Sequence, residues 1–277
     1  MSRAGVLLAA LLVTADATAA EQIDHSTMDH SSLDHAAESS AIVTPIPQLT
    51  DADRAAAHEH HGGHETFDNA VNDYLLFDRF EYFHGEGEDG LAWEANGWLG
   101  TDINRLWLRS DGARVEGTTE SADIELFYGR SISAWWEVLG GVRRDFKPGD
   151  ARTWAAIGLQ GLAPQRFEIA ATAYARSGGH TAARLEAGYR LLFTNRLMLQ
   201  PLLDAWLYGK DDAARGTGSG LSTLEAGLRL RYEFTRRFAP YVGIELERAF
   251  GDTATLRRAD GLDVTGKRVV LGLRTWY

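Results

Sequence analysis

The chain has 277 residues and no cysteine, which excludes a disulfide framework and every thiolate metal site. Methionine is scarce as well. Of the three in the chain, Met28 is the only one between the leader and the first predicted strand, so a Cu(I) site built from several thioethers is not available there. No stretch after the leader approaches the roughly 18 uncharged apolar residues that a membrane-spanning helix needs. Basic residues are not in excess either: 28 Lys and Arg stand against 39 Asp and Glu. That balance argues against nucleic acid as a partner.

The acid excess is local. Residues 21–73 carry eleven Asp and Glu against Arg54 alone, whereas Tyr74 to Tyr277 hold 27 acids and 26 bases. The opening "MSRAGVLLAALLVTADATAA" has a basic start at Arg3, an apolar run from Ala4 to Val13 and small residues at Ala17 to Ala20. It reads as a secretory signal peptide over residues 1–20. Residues 21–73 are mostly Ala, Ser, Asp, Glu and His and show no sustained period. Such a segment cannot bury enough apolar area to offset its ordering entropy and is expected to be disordered. One exception is "TDADRAAAHEHH", where Thr50 or Asp51 can cap a short helix.

Seven of the nine histidines precede the first predicted strand: His25, His30, His35, His58, His60, His61 and His64. The first three recur every five residues in "DHSTMDHSSLDH", each after an aspartate. Rings so spaced do not share a helical face, so they converge on an ion only where the backbone bends freely. In "HEHHGGH", Gly62 and Gly63 let His64 fold back towards His60 and His61. Imidazole suits Cu(II), Ni(II) and Zn(II), with copper highest in the affinity order. The expected metal ligands are these seven histidines and Met28, on an acidic segment that attracts cations. The bland alternative is a solvated polar arm.

From Tyr74 onward the texture has period two. In "LEAGLRLRYEF", Leu224, Ala226, Leu228, Leu230, Tyr232 and Phe234 fall on one face, and Glu225, Gly227, Arg229, Arg231 and Glu233 on the other. A strand preserves that separation and a helix scrambles it. "ARLEAGYRLLF", "YVGIELE" and "DIELFY" repeat the split. About twelve such segments follow one another, mostly about ten to thirteen residues long, the length a tilted strand needs to cross a bilayer. Their connections alternate: "TDI", "SIS", "APQ", "TNR" and "TRR" are tight. By contrast "HGEGEDG", residues 112–120, "KPGD" with its neighbours, "SGGHT", "KDDAARGTGS" and residues 251–266 are expected to be mostly longer and are rich in Gly and charge.

This pattern predicts an all-β fold, a transmembrane antiparallel β-barrel over residues 74–277. Outer-membrane lipid would be its surroundings and both chain ends would lie in the periplasm. Aromatic residues near strand ends, Tyr189, Phe193, Tyr232 and Phe234, fit an interfacial girdle. A soluble β-sandwich also alternates, but its strands are usually shorter and its charged face lies in water. Arg109, Glu125, Glu137, Arg143, Arg184, Arg229, Glu233, Glu245 and Arg274 fall on the lumen face, where they either pair across the barrel or line a channel. Two features resist the pattern. Pro201 lacks a ladder donor, which calls for a bulge or break, and Asp78, Arg79 and Glu81 in the first strand do not share a parity.

The segments "LWLRSDGARVEG", "QGLAP", "RLMLQPLLDAWLYGKDD" and "GSGLSTLEAGLRLRYEFTRRFAPYVGIELERAFG" resemble the copper-resistance protein B family. The histidine-bearing arm matches in kind only. The resemblance implies an outer-membrane barrel that contributes to copper tolerance, usually alongside a periplasmic multicopper oxidase. Arms in that family often repeat Met with His. Here only Met28 remains, which favours Cu(II) over Cu(I) as the bound copper ion. The last strand, "KRVVLGLRTWY", ends on an aromatic, as barrels recognised for insertion do. A general porin with an incidental arm is the rival reading. An enzyme is not expected: Ser177 and His180 in "RSGGHT" are the only near pair, and no G-x-S-x-G or H-E-x-x-H occurs.

Overall fold

The structure, a computed structural model, describes residues 50–58, 70–85 and 88–277. The chain divides into two units between His64 and Glu65. In the first unit a single helix, α1 (Asp51–His58), is described. Thr50 caps it. The Asp53 amide donates to Thr50 Oγ1 at 3.2 Å, and Asp53 Oδ2 accepts from the Thr50 amide at 2.8 Å. This reciprocal capping box satisfies two amides that a helix start leaves without partners. Asp51 and Asp53 also place negative charge at the positive end of the helix dipole. It is the short helix that "TDADRAAAHEHH" predicts.

The second unit is built from β1 (Asn72–Gly85), β2 (Glu88–Gly100), β3 (Asn104–Val115), β4 (Thr118–Ser131), β5 (Trp136–Lys147), β6 (Arg152–Ala163), β7 (Phe167–Arg176), β8 (His180–Gly188), β9 (Leu191–Leu192), β10 (Leu197–Tyr208), β11 (Gly220–Tyr232), β12 (Phe238–Ala249) and β13 (Thr265–Trp276), with α2 (Gly251–Ala259) before the last strand. β8 pairs with the second half of β10 and β9 with its first residues, so these two make one interrupted stave. Each stave pairs antiparallel with the next, and β13 returns to β1. The result is a closed barrel of twelve staves, which leaves no open sheet edge in the bilayer. No described helix is long and apolar enough to cross a membrane.

The burial pattern is that of a protein turned inside out. Outward residues are apolar and exposed: Ile157 and Leu271 are each 64% exposed, and Val242, Ile244 and Leu246 follow one another along β12. Inward residues include Glu81, Glu125, Glu137, Arg229, Arg231 and Glu245, all buried. A sandwich would reverse this arrangement. Part of the interior is apolar and largely aromatic: Phe127, Trp154 and Tyr174 pack together with Leu139, and Trp107, Trp206 and Tyr208 lie against them. Gly141 makes this possible, because a Cβ there would meet the Phe127 ring at 2.8 Å and the Leu126 carbonyl at 2.0 Å.

The two irregularities have specific causes. In β1 the register with β2 passes from Phe77–Ala95 to Arg79–Glu94 and skips Asp78, which forms a β-bulge. The extra residue lets Asp78 and Arg79 both face the lumen, while Leu75, Phe77, Phe80 and Tyr82 stay outside. Pro201 keeps its register with Leu228 on β11. The break falls on its other neighbour, where β8 stops at Gly188 and the Tyr189 amide donates to the Pro201 carbonyl at 3.1 Å. The expected break exists, one strand away from the proline that causes it.

The five tight turns are present at 101–103, 132–135, 164–166, 193–196 and 233–237, all at one end of the barrel. At the other end the expectation of mostly longer loops needs correction. Residues 209–219 and 250–264 are the longer connections, whereas 148–151 is no longer than the tight turn at 132–135. Only two residues separate β1 from β2, and two separate β3 from β4. Glu116 and Gly117 both have positive φ, 45° and 83°, the combination that closes a two-residue hairpin in register. Glycine there tightens the turn. In the longest connection α2 buries Thr253, whose Oγ1 accepts the Gly218 amide at 2.8 Å, and so packs against the 209–219 loop.

Candidate functional site

Of the expected metal ligands, His25, Met28, His30, His35, His60, His61 and His64 lie outside the described residues. His58 is the last residue of α1. Among the described residues no group of three or more His, Asp or Glu is arranged to hold a metal ion. Ser177 and His180 bracket the β7–β8 turn.

Charge inside the barrel comes from alternation. Every second residue of a stave points inward, and the sequence supplies Arg, Asp and Glu at those positions. A charge withdrawn from water must find a partner. Arg229 on β11 is 3% exposed and lies between Glu81 at 2.9 Å and Glu245 at 2.8 Å, and the Tyr241 hydroxyl donates to Glu81 at 2.8 Å. On another part of the wall Arg143 binds Asp145 at 2.6 Å and Asp123 at 2.9 Å. It also reaches across to lie 4.7 Å from the Trp206 ring. Arg79 contacts Glu94 at 2.7 Å and both Asp111 and Glu225 at 3.3 Å. Arg184 contacts Asp204 at 2.5 Å and Glu186 at 3.3 Å.

These pairs link distant staves. Tyr174 on β7 donates to Glu125 on β4 at 2.7 Å, and Arg109 on β3 donates to Gln160 on β6. The bore is therefore divided. One cavity of about 1020 Å³ opens towards the tight-turn end among Arg105, Trp136, Arg190 and Arg274, and another of about 990 Å³ lies towards the long-loop end beneath Thr253 and Arg257 of α2. A general porin calls for a continuous open bore. Here ion pairs stand across it.

Of the lumen charges expected from alternation, Arg109, Glu125, Glu137, Arg143, Arg184, Arg229, Glu245 and Arg274 all take part in interior contacts. Glu233 lies beyond the end of β11 and pairs with Arg236 in the turn at 3.1 Å. Alternation alone missed Asp78 and Arg79, whose parity the bulge changes. Asp111 was missed because "RSDGAR" reads as the start of a loop. Asp204 alternates cleanly with Leu203 and Ala205 and was legible.

A tight-turn girdle is also present: Tyr128, Trp135, Phe167, Phe193, Phe234 and Phe238 are exposed there, and Phe167 packs on Tyr189 with ring centroids 4.6 Å apart. This is where an interfacial aromatic belt belongs.

Comparison with known proteins agrees with this architecture. A family model described as copper resistance protein B precursor matches residues 71–277. A copper resistance protein B homolog from Pseudomonas syringae pv. tomato (strain ATCC BAA-871 / DC3000) is 51% identical over 234 residues, covering 84% of this chain and 80% of that protein. Copper resistance protein B of Escherichia coli is 43% identical over 234 residues, 84% of this chain and 79% of its own length. Among solved structures, the NanC porin aligns with a TM-score of 0.50 at 11% identity, over 74% of this chain and 99% of that one. The last likeness bears on fold alone.

Proposed function

The chain belongs to the copper resistance protein B family, and from that premise we propose that its histidine-bearing N-terminal segment captures copper ions beneath the outer membrane. The barrel serves as the mooring. The supporting observation is where the segment joins the barrel. β1 starts at Asn72, paired with Gly100 beside the 101–103 turn, so the first strand of the barrel begins at the tight-turn end. Tight turns face the periplasm in outer-membrane barrels, and seven of the nine histidines come before that point.

The ligand chemistry selects Cu(II). Imidazole nitrogens with adjacent carboxylates form a borderline-to-hard donor set, and copper heads the divalent affinity order for it. Met28 is the lone thioether of the segment, too few for a methionine-lined Cu(I) site. Copper is here the cargo, held in the periplasm as Cu(II) until it is exported, and a periplasmic multicopper oxidase, which takes an electron from Cu(I) and so yields Cu(II), is the natural partner. No residue is assigned a catalytic role.

The test is a copper titration of the full chain in detergent beside a variant lacking residues 21–66, with zinc and nickel at the same pH. The full chain is expected to bind several Cu(II) ions tightly and the truncated barrel none. Equal copper stoichiometry in the two proteins would overturn the assignment to the segment.

A further inference from the structure

The two interior cavities share six lining side chains: Arg79, Asp111, Asp123, Arg184, Asp204 and Glu225. These form the waist of the bore, where two guanidinium groups face four carboxylates. Arg184 on β8 approaches Asp111 Oδ2 on β3 at 3.8 Å, and these staves stand five apart in a ring of twelve. The contact therefore spans the bore. Arg79 on β1 takes the same Asp111 oxygen at 3.3 Å. One carboxylate oxygen thus joins two arginines that arrive from different walls.

The strengths of these links are unequal. Arg184 is held along its own wall by Asp204 at 2.5 Å, and Arg79 by Glu94 at 2.7 Å. The reach across the bore is the longest link of the chain. Charge attraction weakens with distance, so the chain parts first between Arg184 and Asp111, and each arginine stays with its wall partner. The waist then opens with a carboxylate majority. Asp204 reinforces the sign, because its Oδ1 is buried without a hydrogen-bond partner even in the closed arrangement.

We propose that Arg79, Asp111 and Arg184 form a gate across a cation path through the barrel, closed in this structure, which admits small cations and rejects anions when the link between Arg184 and Asp111 parts. This inference does not rest on copper capture by the N-terminal segment. It concerns any small hydrated cation and needs only the barrel interior. A narrow passage walled by low-dielectric protein and carrying an excess of one sign of charge favours ions of the other sign.

The experiment is single-channel recording of the full chain in planar bilayers under a KCl gradient, comparing wild type with Arg184→Gln, Asp111→Asn and the double variant Arg184→Gln/Asp204→Asn. Heat-modifiable migration on gels establishes that each is folded. The double variant removes the arginine together with its wall carboxylate, so it keeps the test alive if an unpaired Asp204 prevents folding of the single one. Wild type is expected to show brief, small openings. The variants are expected to raise the open fraction at least severalfold, with a reversal potential on the potassium side. Folded variants that conduct like wild type, anion selectivity in Arg184→Gln, or a large unselective wild-type current would each overturn the gate. Copper titration of the same variants should match wild type, so failure of the gate and failure of copper capture are read separately.

Discussion

Replacing Arg229 by methionine removes a cation from between Glu81 and Glu245 while keeping most of the side-chain volume. The three side chains are 3%, 2% and 6% exposed, so the two carboxylates left behind have little water to turn to. Breaking a buried pair by removing one partner costs about 3–5 kcal/mol. That is a loss of roughly 150- to 5,000-fold in the ratio of folded to unfolded protein. The matched control is Arg190→Met, which breaks the pair with Glu168. These side chains are 49% and 39% exposed, and such a pair is worth about 0–1 kcal/mol. A third variant, Glu81→Gln/Arg229→Met, removes the carboxylate that loses its one cation, since Glu245 keeps Arg268 at 3.7 Å and Arg79 at 3.9 Å, and should recover part of the loss. The assay is reversible urea unfolding in lipid vesicles, followed by tryptophan fluorescence and gel mobility. If Arg229→Met and Arg190→Met lose the same stability, the interior is not a desolvated charge network and the reasoning fails.

Two further outcomes follow from the same geometry. Ile244 lies on the outward face midway along β12, so Ile244→Arg should cost about 2–4 kcal/mol in a bilayer. Its unfolding curve in vesicles would have to be unchanged for the outward face to be anything but lipid-facing. The second concerns pH. Burial alone would raise the Asp212 pKa, but the hydrogen bond and charge of Arg152, with Arg176 at 3.5 Å, hold it below the ordinary carboxylate value. A depressed carboxylate stabilises the folded loop above its unfolded pKa, and this contribution is lost as pH falls through the folded value. Protease cleavage within residues 209–219 should therefore rise in acid below about pH 4, and Asp212→Asn should be cleaved readily at neutral pH as well. A wild-type loop equally protected at every pH would refute the clasp.

Much of the barrel was legible because alternation leaves a direct trace in sequence. One face must be apolar for lipid and the other must hold charge. The elements that escaped were those whose cause is a single residue. The bulge at Asp78 adds one position and reverses every side chain after it, with no change in composition to mark it. The break beside Pro201 was expected on the proline's own strand, yet the missing donor is felt by the neighbour that would have received it. Glycine and charge in "HGEGEDG" and around residues 112–120 suggested length. Positive φ at Glu116 and Gly117 gives a reversal of direction in two residues instead. The inward aromatics, Phe127, Trp154 and Tyr174, escaped because the lumen face is read from its Arg and Glu residues alone. For the proposed copper ligands, sequence supplies residue types and spacing, and the described structure adds that His58 ends α1.

The joint between β1 and β13 has a consequence for biogenesis. Arg274 meets Asp78 at 2.5 Å although 196 positions separate them, and the ladder on either side joins the first strand made to the last. Such a contact carries the largest loop-closure cost in the chain. Until β13 arrives, β1 keeps a long row of unanswered amides and carbonyls that any other strand could take. Sealing β1 against β13, and not the pairing of neighbouring staves, is therefore the step that removes that margin.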